Sequence, residues 1–238
     1  MAELQQGRRV ELATNLERVQ ARIASAAAAA GRDPAELTLI AVTKTYPATD
    51  VVLLADLGVT DIGENRDQEA AAKHGAVGRP ELRWHFIGQL QRRKCHSVVG
   101  YADVVHSVDR PELAAALGAA AVAAGRTVEA LVQVSLDPPG TAGRGGAAPD
   151  QVLALAELVA ATAGLRLAGL MAVAPPGVDP SPPYRRLAAV SAQVRAAFPA
   201  ATMLSAGMSG DLEAAVANGA THLRVGTALL GGRTPVVG

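Results

Sequence analysis

LTLIAVTKTYPATDVVLLADLGVTDIGEN, residues 37–65, reads as strand, helix, strand. The apolar, β-branched run 37–44 ends on a lysine, residues 50–57 form a short helix closed by Gly58, and a second β-branched run covers 59–65. A helix between two such runs is the repeating unit of a parallel sheet. The texture continues outward through LRWHFIG (82–88), DVVHSV (103–108), VEALVQVSL (128–136), LRLAGLMAVA (165–174), TMLSAG (202–207) and THLRVGTALLG (221–231). Amphipathic segments separate most of them, such as 149–162, closed by Gly164. Eight strands with no Gly-x-Gly-x-x-Gly turn after the first predict a closed (β/α)8 TIM barrel over its rival, an open doubly wound sheet. Upstream, Leu12, Leu16, Val19 and Ile23 lie at helical spacing and predict an extra N-terminal helix ending near Gly31 and Pro34.

Bulk properties narrow the function. At 238 residues the chain fits one large domain, 1–238, and its apolar half is rich in alanine, which suits helices packed closely on a sheet. Lys plus Arg equals Asp plus Glu at 22 each, so no global field draws nucleic acid or anionic lipid, and any bound anion must be held locally. The single cysteine, Cys95, excludes an intramolecular disulfide and a thiolate zinc cluster, which points to a reducing, cytoplasmic setting. Charges interrupt the first 33 residues too often for a signal peptide, and no apolar run reaches the ~18 residues that span a bilayer.

In such barrels chemistry sits at the C-terminal ends of the strands. Those ends carry Lys44, Glu64 with Asn65, His85, His106, Met171, Ser205 and Arg224, a set too polar for packing alone. Lys44 closes an apolar strand, where low-dielectric walls favour the neutral, nucleophilic amine that forms imines with aldehydes. The position also suits a lysine that only reaches for solvent. SAGMSGDLEAAVANG, 205–219, sets glycines, Ser205 and Ser209 before a helix starting near Gly210 or Asp211, which suits anion capture as well as plain N-capping. Arg224, Gly226 and Thr227 follow on the eighth strand, and loops after strands seven and eight often hold phosphate in barrels. Alternation turns Arg224 inward, toward a ligand or toward a strand-end carboxylate such as Glu64. His85 and His106 lack a convincing third metal ligand. GTAGRGG, 140–146, lacks the Lys-Ser/Thr of a P-loop and reads as rim, with Arg144 assisting.

These residues together resemble the pyridoxal phosphate homeostasis protein family, single-domain relatives of the barrel of alanine racemase. The resemblance runs through AVTKTYP (41–47), DIGEN (61–65), WHFIGQLQ (84–91), HSVDR (106–110), GLMAVAP (169–175), LSAGMSGDLEAAVANGA (204–220) and LRVGTALLG (223–231). It implies that Lys44 forms the imine with pyridoxal 5′-phosphate and that Ser205, Met208, Ser209, Gly226 and Thr227 neighbour the phosphate. It also implies that Arg224 faces the pyridine nitrogen while Asn65 and Met171 flank the ring.

An arginine there disfavours a protonated pyridine and weakens the ring as an electron sink. Of the three tyrosines only Tyr46 lies near Lys44, and no opposed pair of bases is apparent. The expectation is therefore a cofactor carrier, monomeric or weakly dimeric, that delivers pyridoxal phosphate to apo-enzymes and binds neither nucleic acid nor membrane. A low-turnover amino-acid racemase and a Schiff-base aldolase of phosphorylated sugars are the alternatives.

Overall fold

The computed structural model describes residues 2–138 and 145–232. Its eight strands are β1 (Thr38–Val42), β2 (Asp61–Glu64), β3 (Arg83–Phe86), β4 (Val104–Val108), β5 (Val128–Gln133), β6 (Leu165–Met171), β7 (Met203–Ser205) and β8 (His222–Val225). All neighbours run parallel, and β1 pairs with both β2 and β8, so the sheet closes into a barrel in sequence order. Most strand residues are buried, on both faces of the sheet, the condition under which a parallel strand reads as an unbroken apolar run.

Helices α1 (Ala2–Ala29), α2 (Ala48–Asp56), α3 (Asp67–Val77), α4 (Cys95–Val99), α5 (Pro111–Ala123), α6 (Val152–Ala161), α7 (Ser181–Ala197), α8 (Leu212–Ala217) and α9 (Thr227–Leu230) surround it. The expected N-terminal helix is α1, and its predicted stripe of Leu12, Leu16, Val19 and Ile23 is buried. None of the described helices is long and apolar enough to cross a membrane.

α1 is tied across the end of the chain. Arg8 donates to Asp50 at 2.6 Å and to the Leu230 carbonyl at 3.0 Å, Asn15 donates to the Leu229 carbonyl at 3.0 Å, and Arg22 grips both Glu213 and the Ser209 carbonyl. One expectation fails in this region. The eighth strand stops at Val225 instead of running to 231, because Gly226 breaks the ladder and the Leu229 and Leu230 amides return to its carbonyl at 2.9 and 2.8 Å. The apolar TALL segment is buried as a helical turn, which period alone cannot distinguish from a strand.

Most of the barrel wall packs outward against the helices, while Val104, Leu131, Ala168 and Met171 form a smaller cluster of their own. Gly169, at φ +148°, lets β6 lie tight on β7: a Cβ there would sit 1.9 Å from the Met203 carbonyl oxygen.

Candidate functional site

Strand alternation decides which polar residues face the barrel mouth. A Cβ placed on Gly63 would meet Ile40 at 2.9 Å and Val42 at 3.4 Å, so these three positions point into the barrel. Lys44, two residues past Val42, and Asn65, two past Gly63, lie just beyond the C-terminal ends of these strands. Lys44 occupies the corner of a turn closed by the Tyr46 amide on the Thr43 carbonyl at 3.0 Å. Thr45, the next corner, is the single non-glycine residue with positive φ among the described residues, at 70°, and its amide is held by the Glu69 carboxylate. Such backbone strain persists only where surroundings enforce it, and it clusters at binding sites.

Glu64, one residue off that register, faces outward and is buried against α3. Its carboxylate accepts from Lys73 at 2.5 Å and from the Thr43 hydroxyl at 2.6 Å, while Lys73 also donates to the Thr43 carbonyl at 2.7 Å and Glu69 at 3.1 Å. Burial pushes the Glu64 carboxyl above its usual range against the opposing pull of Lys73 and Thr43. Glu64 is therefore not the partner of Arg224, an option the sequence left open. The Glu69–Lys73 spacing of four on one helix was the sequence signal for this cluster, and it was missed.

Arg224 is buried inside the barrel. Its Nη1 donates to Ser205 Oγ at 2.7 Å and its Nη2 to the Ala172 carbonyl at 2.9 Å. It forms no ion pair among the described residues, and burial holds its guanidinium below its ordinary pKa. A buried cation held only by neutral acceptors is a demanding arrangement.

The loops after β7 and β8 meet each other at the end of β1. Ser209 Oγ accepts from the Ala228 amide at 3.4 Å, and a Cβ on Gly226 would lie 3.4 Å from the Val42 carbonyl, so the turn into α9 runs directly against the end of β1. Gly207 at φ +90° shapes the first loop, where Asp211 Oδ1 accepts from the Met208 amide at 2.6 Å. Met208 is exposed, Ser209 and Gly226 half-buried and Thr227 exposed. Met171 is buried in register with Ser205, and Asn65 is half-buried with its carbonyl so close to Gly88 that a Cβ there would lie 2.1 Å away. Lys44, Asn65, Ser209, Gly226 and Thr227 thus share one face of the barrel, with Arg224, Ser205 and Met171 beneath it.

His85 and His106 bond to each other, to Asp61 and to Ser205 inside the barrel. Arg144 and residues 139–144 of the predicted rim loop lie outside the described residues, as does the chain from 233 onward.

The model for the N-terminal domain of alanine racemase matches residues 14–234. A pyridoxal phosphate homeostasis protein from Mycobacterium tuberculosis is 44% identical, over 95% of this chain and 94% of the relative. A protein of unknown function from Bifidobacterium adolescentis superposes with a TM-score of 0.89 at 33% identity, covering 94% of this chain and 96% of that one. PipY of Synechococcus elongatus, solved with pyridoxal phosphate bound, gives a TM-score of 0.81 at 33% identity, covering 92% and 100%. With this likeness over nearly its whole length, the chain belongs to the pyridoxal phosphate homeostasis protein family, built on the alanine racemase N-terminal domain.

Proposed function

We propose that this protein, as one cofactor-binding domain, takes up pyridoxal 5′-phosphate at the barrel mouth, holds it reversibly and releases it to apo-enzymes. Pyridoxal phosphate supplies an aldehyde that condenses with a primary amine, a phosphate that needs donors and a ring nitrogen that accepts a hydrogen bond. The residues present fit that group, and the approach of the turn at Gly226 to Val42, two residues before Lys44, across the β1–β8 seam is the observation that carries the reading.

Lys44 is the attachment point, in the turn after β1 and next to the strained Thr45. Ser209, Gly226 and Thr227, with Met208 at the edge, cradle the phosphate through backbone amides and hydroxyls. Asn65 and Met171 flank the ring, and Arg224 faces its nitrogen, with Ser205 on the Arg224 side of the phosphate. A guanidinium donates without surrendering its proton at neutral pH, so it binds the nitrogen while leaving the ring a poor acceptor of carbanion charge.

The tyrosines support holding over turnover. Tyr46 donates to the Gly231 carbonyl at 2.7 Å, Tyr184 donates to Asp211 at 2.7 Å, and Tyr101 is buried beside His74. Burial raises the phenols of Tyr101 and Tyr184, which suits neither to act as a base. Delivery in a cytoplasmic setting, by a monomer or weak dimer, completes the reading.

Borohydride reduction of the loaded protein should fix the cofactor mass on the peptide containing Lys44. Lys44→Ala should lose the visible absorption band of the bound cofactor and keep its far-ultraviolet dichroism, since a rim side chain contributes little to the core. The same band persisting in Lys44→Ala would disprove the assignment, and deuterium washing into the α position of alanine would replace the carrier by a racemase.

A further inference from the structure

A continuous chain of hydrogen bonds threads the barrel interior below the mouth. Asp61 Oδ1 lies 2.9 Å from His85 Nε2, His85 Nδ1 lies 2.9 Å from His106 Nε2, and His106 Nδ1 lies 3.0 Å from Ser205 Oγ. Ser205 Oγ then meets Arg224 Nη1 at 2.7 Å. His85, His106 and Ser205 are at most 1% exposed, and Arg224 is 4% exposed. Lower down, Asp61 helps line a cleft of about 400 Å³ at the opposite end of the barrel, with Thr38, Thr60 and Pro34.

The two ends fix every proton between them. Arg224 can only donate, so Ser205 Oγ accepts from it. Asp61 is buried at the edge of that cleft; burial opposes its charge, but the hydrogen bonds to His85 and Thr60 outweigh it and hold the carboxyl below its ordinary range, so it is an anion that only accepts. His85 must then carry its proton on Nε2. Burial favours the uncharged imidazole for both histidines, leaving His85 Nδ1 as an acceptor. His106 therefore donates from Nε2, its Nδ1 accepts, and the Ser205 hydroxyl donates to it. The other groups acting on these rings, namely Arg83, Asp103 and His222, form no hydrogen bond in the chain.

We propose that Asp61, His85 and His106 are positioning residues that commit the Ser205 proton downward, so that Ser205 is an obligate acceptor holding the Arg224 guanidinium in one place. Bonds aligned in one sense polarise each other, so the carboxylate at the foot of the barrel acts as a remote counter-charge for an otherwise unpaired cation at the mouth. This rests on the reading of Arg224 as the group that faces a heteroaromatic nitrogen. It assigns to the buried histidines the task that a direct carboxylate partner would perform, with Asp211 acting on the guanidinium only through space and not as a hydrogen-bond partner.

The tautomers of the two histidines give the first test. In ¹⁵N-histidine-labelled protein, long-range ¹⁵N–¹H correlation spectra should show His85 and His106 as neutral Nε2–H tautomers. An Nδ1–H tautomer or an imidazolium at either position would overturn the proposal. Equilibrium dialysis with pyridoxal phosphate provides the second arm. His106→Phe should weaken retention about tenfold, as expected for losing support of a charge-assisted hydrogen bond, and should shift the absorption maximum of bound cofactor. Asp61→Asn, which keeps an acceptor, should fall between wild type and Asp61→Ala. Unchanged retention and spectrum in a folded His106→Phe protein would refute the chain's role, whereas failure of the wild type itself to retain the cofactor would refute the binding reading and leave the tautomers standing.

Discussion

Lys73→Met should be among the most damaging single changes in this barrel, although Lys73 is not placed on the cofactor. The substitution nearly preserves the side chain's length and removes only the ammonium. Glu64, fully buried, then keeps the Thr43 hydroxyl at 2.6 Å, while its second oxygen already lacks a partner. Breaking a buried pair by deleting one member typically destabilises by ~3–5 kcal/mol. For a chain of this size that corresponds to a fall in Tm of roughly 10 °C. The pH dependence gives a sharper test. The Glu64 carboxyl is raised already in the wild type, and losing Lys73 raises it further. An acid whose folded pKa is raised favours folding below its unfolded pKa and loses that contribution as pH rises through the folded value. The stability gap between wild type and Lys73→Met, measured by urea unfolding, should therefore be largest near pH 8 and narrow toward pH 5, where Glu64 is neutralised in the variant. Adding Glu64→Gln to Lys73→Met should recover part of the loss at pH 8. A gap below about 0.5 kcal/mol at pH 8 would contradict the account, because that is the range of ordinary surface substitutions. A gap that does not change with pH would remove Glu64 from it.

Gly88→Ala should act on the mouth through the backbone: its Cβ would lie 2.1 Å from the Asn65 carbonyl oxygen, so Asn65 must shift, and cofactor retention in equilibrium dialysis should fall while borohydride still fixes the cofactor that remains bound on Lys44. Acid should destabilise the barrel well before its carboxylates titrate. Burial lowers His85 and His106 and pushes His222 down to about 4, and a base lowered on folding supports stability above its unfolded pKa and loses it as pH falls. Urea midpoints should therefore drop between pH 6.5 and 4, and the drop should shrink in His222→Phe.

The barrel was legible because each βα unit announces itself locally. An apolar β-branched strand, a polar strand-end residue and a glycine-closed helix recur in order, and closure follows from eight such units. The inward turn of Arg224 was legible for the same reason, since alternation alone fixes its face. The fate of TALL was not, because a short apolar segment fits either period until Gly226 sets the backbone and α1 covers it. Glu64 illustrates a different limit. Its parity, opposite to Asn65, already excluded Arg224, but its partner sits on a helix whose rotation no strand pattern reveals. The histidine chain joins positions far apart in sequence, 61, 85, 106, 205 and 224, so only closure of the ring brings them within bonding distance.

The splint that α1 lays over Leu229, Leu230, Ser209 and Glu213 has a consequence for biosynthesis. α1 finds those partners only once synthesis has passed β7 and β8. Its apolar stripe must wait uncovered through that interval, and contacts of such long sequence separation form late and slowly. The barrel is thus latched when α1 closes on α8 and α9, and nascent chains truncated before residue 212 should engage chaperones in a way that chains extending through α9 do not.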